Sequence, residues 1–311
     1  MHQVSIVVPC FNEEAVLPET ARRLELLLRH LQSVGKVTTT SQVYFVDDGS
    51  YDSTWQLIES HAANSELIRG IKLSRNRGHQ IALLAGLETV PGDAAISVDA
   101  DLQDDLAAIE QMIDAFNSGT EIVYGVRKSR SVDSIFKRLS AEGYYKVLSL
   151  LGVEVIFNHA DYRLMSRRSL DALAQFREAN IFLRGLLPQL GFSWSIVYYD
   201  RAERYAGESK YPLRKMLALA WNGVTSFSAA PLRFITGLGI LVSLVSIAVA
   251  VWALAMRVFT SQAVPGWAST VVPIYFLGGI QLFAVGIIGE YLAKIYLETK
   301  RRPRYFIDKV V

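Results

Sequence analysis

A single cysteine, Cys10, stands in 311 residues, which excludes an internal disulfide and a metal-thiolate cluster. That scarcity suits a reducing, cytosolic setting. Charge of one sign is missing too. Lys and Arg number 32 against 30 Asp and Glu, a formal net charge of +2, so no global basic field argues for a nucleic-acid partner. No G-x-G-x-x-G follows an apolar strand-like run, and no G-x-x-x-x-G-K-[ST] occurs, which counts against a dinucleotide dehydrogenase and a P-loop ATPase. Internal repeats and low-complexity linkers are absent. The first residues enter a strand-like run at 3–9 with no basic segment and apolar core before it, so no secretory signal is expected.

What the chain has in excess is apolar sequence, at 51% hydrophobic residues. The surplus lies in 234–292. Residues 235–255 and 268–289 carry no charge, and each run is long enough to cross a bilayer as a helix. Arg214, Lys215 and Arg233 precede the first run, and Lys294, Lys300, Arg301, Arg302, Arg304 and Lys309 follow the second. The connection 256–267 holds only Arg257, so both ends are expected in the cytoplasm. Gly239, Ser243, Ser246, Ala250 and Ala253 make a small-residue face on the first span, suited to close packing on the other span or on a second copy of the chain in a homo-oligomer. Two segments beside this hairpin look amphipathic. Residues 134–151 interleave apolar positions with Lys137, Arg138 and Lys146; residues 211–227 carry Leu213, Met216, Leu217, Trp221 and Val224 with Arg214 and Lys215. Such stripes face either a core or the headgroup layer of a membrane.

Before residue 210 strand and helix alternate. Apolar, β-branched runs at 4–8, 43–46, 68–73, 94–98 and 121–124 are separated by helix-like stretches near 14–31, 53–63, 79–88 and 106–117. That pattern predicts an α/β fold with a mostly parallel sheet. The division expected is a cytosolic domain at 1–210, an amphipathic juxtamembrane helix at 211–233, a two-helix hairpin at 234–292 and a basic cytosolic tail at 293–311.

The fourth strand-like run ends in Asp99-Ala100-Asp101-Leu102-Gln103-Asp104. Clustered carboxylates and an amide at a strand end suit Mg²⁺ or Mn²⁺, hard cations that share coordination with a diphosphate. The bland alternative is a cap for a helix starting near Leu106, and Asp104 is read that way.

Further motifs follow one another in order: Val7-Val8-Pro9-Cys10-Phe11-Asn12-Glu13-Glu14, then Asp47-Asp48-Gly49-Ser50, then Arg75-Asn76-Arg77-Gly78, then the Asp99 cluster. Over residues 3–165 this series resembles the family 2 inverting glycosyltransferases of GT-A fold. Glu203–Tyr211 (Glu-Arg-Tyr-Ala-Gly-Glu-Ser-Lys-Tyr), Pro231-Leu232-Arg233, Gly289-Glu290-Tyr291 and Arg302-Pro303-Arg304-Tyr305-Phe306 look like the polyprenyl-phosphate glycosyltransferases, a group that includes bactoprenol glucosyltransferases and dolichol-phosphate mannose synthases. The Q-x-x-R-W signature of processive polysaccharide synthases is absent.

The resemblance implies a nucleotide sugar as donor and a polyprenyl phosphate in a lipid bilayer as acceptor, in a bacterial-type inner membrane. Glucose from UDP-glucose is the expected sugar, with GDP-mannose or a UDP-aminoarabinose derivative as alternatives, and a non-lipid acceptor as a further one. It implies that Asp101 and Gln103 hold the cation, with Asp99 either a third ligand or a contact to the sugar nucleotide. Pro9, Phe11 and Glu13 would wall the nucleotide pocket. Asp47 would contact base or ribose and Asp48 would shape the loop, while Arg75 or Arg77 would approach the donor or form a structural ion pair. Arg127, Arg138, Arg204 and Lys210 are candidates for the acceptor phosphate, since cations clamp phosphate oxygens. Asp161 matches the family's candidate general base. A phosphate monoester is largely dianionic at neutral pH and has no proton to surrender, so Asp161 is equally read as orienting the acceptor, binding a sugar hydroxyl or holding Arg163.

Overall fold

The computed structural model describes residues 1–128, 159–178, 183–200, 230–259 and 266–311. These fall into two compact units, an α/β unit and a helical unit. Arg138, Arg204 and Lys210, the motif at 203–211 and both amphipathic segments lie outside the described residues.

In the α/β unit the apolar runs become strands and the segments between them helices: β1 (Val4–Cys10), α1 (Leu17–Ser33), β2 (Gln42–Asp47), α2 (Thr54–Asn64), β3 (Ile68–Leu73), α3 (His79–Thr89), β4 (Ala94–Ser97), α4 (Ala108–Asn117) and β5 (Ile122–Arg127). Then come β6 (His159–Ser166), α5 (Arg167–Leu173), a short helix α6 (Leu183–Leu186) running into a 3-10 turn, and β7 (Trp194–Tyr199). Every residue of β1 is buried, as a strand covered on both faces requires. One face packs Leu17, Ala21, Leu24, Leu28 and Leu31 of α1, a 3.6-period stripe. On the other, α3 is buried continuously from Ala82 to Leu87. Gly86 makes that approach close: a Cβ there would stand 2.4 Å from Val7 Cγ1.

The sheet order is β7-β5-β6-β4-β1-β2-β3-β8. The described strands run parallel except β6, antiparallel to β4 and β5, and β8 (Ile307–Val310), antiparallel to β3. From β1 the chain winds outward through β2 and β3, and returns to place β4 on the other side. Ligands of open α/β sheets bind where the winding reverses, outside the carboxyl ends of the strands. Because β6 runs the opposite way, its first residues lie at that same edge: Arg163 stands opposite Ser97 near the end of β4.

The expected basic tail at 293–311 is redrawn. The second long helix continues to Thr299, and residues 301–311 join the α/β unit, where β8 closes the β3 edge of the sheet. The reason is local. Arg304 pairs with Glu88 at 2.8 Å and donates to the Phe176 carbonyl, the Tyr305 hydroxyl donates to Glu88 at 2.6 Å, and Lys309 pairs with Glu59 at 2.7 Å.

The helical unit holds α7 (Ala230–Phe259) and α8 (Gly266–Thr299). At about 1.5 Å per residue they extend about 45 and 51 Å, against a hydrocarbon layer of about 30 Å. Pro231–Val249 and Phe276–Thr299 are long and apolar enough to cross a membrane. Ile240, Leu241, Leu244, Val251 and Leu282 are more than half exposed, a surface that water does not tolerate over such a length.

Candidate active site

The loops after β1 and β2 are stitched into one wall. The Asn12 N–H donates to Ser50 Oγ and Asn12 Oδ1 accepts the Tyr51 N–H, each at 2.9 Å. The Glu13 N–H donates to Thr54 Oγ1, and Glu14 exchanges hydrogen bonds with the 52–53 turn. Phe11 meets Tyr51 edge to face at 6.0 Å. Pro9 is buried inside β1, so it shapes the wall from beneath, whereas Phe11 and Glu13 stay partly exposed.

Asp47 and Asp48 are both buried, and burial pushes both carboxyls up. Asp47 accepts the Ser50 N–H at 3.2 Å. Asp48 accepts the Arg77 N–H at 2.7 Å and the Gly78 N–H at 2.8 Å, one on each oxygen, and so ties the β2 loop to the loop before α3. Gly49 is required where the two loops cross. Its φ is +69°, and a Cβ would sit 2.7 Å from the Asn76 backbone nitrogen. Arg77 thus enters the site's architecture through its backbone.

The Asp99 cluster is a turn beyond β4, with Leu102 left-handed at φ +57° and buried. That places Asp99, Asp101 and Gln103 partly exposed on the loop. Asp101 Oδ1 accepts the Gln103 N–H at 3.2 Å. Asp104 is not a cap. Helix α4 begins at Ala108, and the side chain that accepts a backbone N–H before it is Asp105, from Ala107. Asp104 turns inward instead. The Tyr199 hydroxyl donates to it at 2.6 Å, and Arg127, which also donates to that hydroxyl, approaches at 3.6 Å. Burial, with Asp99 adding to it, pushes Asp104 up to about 6. The turn is therefore anchored from below, to β5 and β7.

The second pole is centred on Asp161. The fully buried Arg163 pairs with Asp161 Oδ1, and Arg184 on α6 spans both oxygens, Nε to Oδ1 at 3.2 Å and Nη2 to Oδ2 at 3.3 Å. His79, the first residue of α3, stands with Nε2 3.5 Å from Asp99 Oδ1 and 3.6 Å from Asp161 Oδ2. Burial alone would raise the Asp161 carboxyl. Arg184 first, then His79 and Arg163, reverse this and hold it well below the usual carboxylate range. Such a group is a poor proton acceptor and a firm anchor.

Of the residues singled out in the sequence, Asp99, Asp101, Gln103, Arg127 and Asp161 are brought to one edge of the sheet. Pro9, Phe11, Glu13, Asp47 and Asp48 form the neighbouring wall. His79, Arg184 and Tyr199 were not singled out. His79 directly follows the Arg75–Gly78 motif, a signal within reach. Arg184 lies in no motif, and only the Asp161 contact reveals it.

A metal fits part of this site. Two carboxylates and an amide are hard oxygen donors, and burial pushes Asp99 up, with Asp161 and Asp101 adding to it against His79. A cation eases that crowding. Among the described residues no three His, Cys, Asp or Glu side chains converge, so these alone do not enclose an ion, and substrate oxygens or water suit the remaining positions.

The glycosyl transferase family 2 profile matches residues 5–174. A Bacillus subtilis (strain 168) protein named uncharacterized glycosyltransferase YkoT is 48% identical over 98% of this chain and 91% of its own. An Escherichia coli (strain K12) protein named prophage bactoprenol glucosyl transferase homolog is 38% identical over 99% of each chain. A Shigella flexneri protein named SfII prophage-derived bactoprenol glucosyl transferase is 37% identical over 99% of this chain and 98% of its own.

Proposed function

The chain belongs to glycosyl transferase family 2, and from that premise we propose that it moves one hexose from a nucleotide sugar onto a polyprenyl phosphate, with inversion at the anomeric carbon. Glucose is the sugar that the relatives named bactoprenol glucosyl transferase favour, and UDP-glucose is the donor in this reading. The observation that carries the reading is the juxtaposition, through His79, of the oxygen-donor turn at Asp99 with the arginine-clamped Asp161. One pole suits the donor's diphosphate with its cation, and the other suits an anionic acceptor.

In this reading a phosphate oxygen of the acceptor attacks the anomeric carbon from the face opposite the leaving group. The bond to the nucleoside diphosphate breaks, and its electron pair leaves with the diphosphate. No proton is released, since the attacking oxygen is already deprotonated. Asp101 and Gln103, with Asp99, would hold Mg²⁺ or Mn²⁺, which supplies Lewis-acid stabilisation of the departing diphosphate. Pro9, Phe11 and Glu13 wall the nucleotide, and Asp47 and Asp48 keep that wall in shape. Arg127 is held beside the turn by Asp104 and Tyr199 and is proposed as a contact of the acceptor phosphate. Arg138, Arg204 and Lys210 remain proposed acceptor contacts on charge and position in sequence. Asp161 orients its arginines and has no base to play. Catalysis then rests on positioning and charge stabilisation.

The two apolar helices support a reading of the protein as an integral membrane hairpin. The basic residues around them favour a cytosolic side for the α/β unit and both termini in this reading. The test offers the purified chain labelled UDP-glucose, GDP-mannose and a UDP-aminoarabinose derivative, each with undecaprenyl phosphate or with water-soluble glycan acceptors. A lipid-linked product, best with UDP-glucose, is expected. Product on soluble acceptors alone overturns the lipid reading.

A further inference from the structure

We propose that Thr20 is a positioning residue of the transfer site, whose buried hydroxyl keeps the Asp99–Gln103 turn in the geometry that receives the donor's cation. The inference rests on the cation and transfer reading above and says what holds that turn in shape. Residues 98–104 lie beyond the end of β4, yet they alternate as a strand would. Val98, Ala100, Leu102 and Asp104 are buried, at most 7% exposed, while Asp99, Asp101 and Gln103 between them stay partly exposed. The oxygen donors fall on the outward positions, so whatever fixes them must act on the inward ones.

Each inward position has its own anchor. The Val98 N–H donates to the Val7 carbonyl of β1 at 3.1 Å, and the Tyr199 hydroxyl donates to Asp104 at 2.6 Å. Leu102 is buried in a left-handed conformation, φ +57°, that a leucine rarely adopts. Such a residue persists only where its surroundings over-determine it. Leu102 stands between the proposed ligands Asp101 and Gln103, so slackening at that point would turn both of them.

Ala100 is anchored from α1. Its carbonyl accepts from Thr20 Oγ1 at 2.7 Å, across 80 residues of sequence. Thr20 is itself 1% exposed, a hydroxyl set among Leu17, Ala21 and Leu24 on the buried face of the helix. A threonine inside a helix ordinarily turns its hydroxyl to the carbonyl four residues back. Here that carbonyl, of Val16, lies farther off at 3.1 Å and already accepts the Glu19 and Thr20 N–H groups, each at 3.1 Å. A hydroxyl has one proton to give, and the shorter contact to Ala100 takes it. Valine would fill the same volume and offer no proton, so the reason for a threonine at this core position lies in the turn.

The experiment uses the full chain in nanodiscs. Mn²⁺ binding in the presence of UDP is read from the electron paramagnetic resonance of the free ion, with Tm recorded for every variant. Labelled UDP-glucose and undecaprenyl phosphate give kcat and apparent KM. Thr20→Val should weaken Mn²⁺ binding about tenfold and lower kcat, with the acceptor KM within about twofold of wild type. Thr20→Ala, which leaves α1 uncrowded, should weaken Mn²⁺ in the same way. Thr20→Ser keeps the hydroxyl and should bind Mn²⁺ within about twofold of wild type. Wild-type affinity in a folded Thr20→Val or Thr20→Ala overturns the proposal. So does a Thr20→Ser that binds as weakly as Thr20→Val, which would assign the effect to packing. Variants that lose their fold rather than the ion also overturn it, by assigning Thr20 to the core alone. Wild-type chain that binds no Mn²⁺ removes the cation reading and this inference with it. Wild-type chain that makes no lipid-linked product removes the acceptor reading, a result separate from the Mn²⁺ comparison.

Discussion

At the residue scale, chemistry here is set by how charges are partnered rather than by how many there are. Asp161 and Asp104 are both buried carboxylates, yet they move in opposite directions. Asp161 is drawn down by Arg184, His79 and Arg163, while burial and Asp99 push Asp104 up to about 6. His79 answers to the same field. Burial disfavours its charge, but the neighbouring Asp161 and Asp99 carboxylates outweigh it and push the imidazole up to about 9, from an ordinary 6.5. The folded value lies above the unfolded one, so this stabilisation is complete below about pH 6.5 and disappears as pH rises through 9. The imidazole is about a third exposed, so solvent screening leaves the effect near 1 kcal/mol, about 2–4 °C in Tm. Without divalent cations, wild type should lose that margin between pH 6.5 and 9, whereas His79→Gln should start lower and stay flat. Equal slopes in the two proteins would show that the imidazole is not held this way. Asp99, Asp101, Gln103 and Asp161 are legible in the sequence because a strand end or a family motif marks each. Asp104 misleads there, since an Asp before a helix looks like a cap until a Tyr 95 residues away claims it.

At the scale of elements, the first five strands and the helices between them follow from apolar runs and periodicity, since β1, β2, β4 and β5 are buried almost throughout and α1 and α4 carry a buried stripe. What periodicity cannot announce is a change of direction. Strand β6 is antiparallel, and that reversal brings Asp161 beside Asp99 though 62 residues separate them in sequence. Strand β8 is less visible still: four exposed residues whose place is fixed by Lys309 and by contacts just before and after the strand. Tyr305 and Arg304 on Glu88, Lys309 on Glu59, and main-chain bonds from Gly70 to Val311 and from Ser74 to Phe306 hold it. Ser74 leads directly into the Arg75–Gly78 loop that Asp48 grips. Removing residues 301–311 should therefore lower Tm by several degrees, on the order of 1–3 kcal/mol for the lost pairing and side-chain contacts. Hydrogen exchange should show the Gly70 and Ser74 amides losing protection first. Unchanged protection at both would mean that β8 does not close the sheet edge.

For the whole molecule, a family 2 glycosyl transferase domain is joined to two helices whose apolar surfaces suit a bilayer, and the proposed substrates divide in the same way. The nucleotide sugar is water-soluble, and a polyprenyl phosphate keeps its chain in lipid. The hairpin is evident in the sequence because twenty uncharged residues in a row have few other uses. The sugar is not, since no residue named here separates glucose from mannose. The proposal as a whole turns on one reaction at the Asp99 turn. The most direct measurement is the transfer of labelled glucose from UDP-glucose to undecaprenyl phosphate by the full chain in nanodiscs, before and after chelation, for wild type and Asp101→Ala. Wild type should yield a single β-linked hexosyl phosphate lipid. Chelation should abolish the product and added Mg²⁺ or Mn²⁺ restore it, and Asp101→Ala should lose at least a hundredfold in rate at any cation concentration, about 2.7 kcal/mol of transition-state stabilisation. Product with the α configuration, or formed equally well after chelation or by Asp101→Ala, would contradict it.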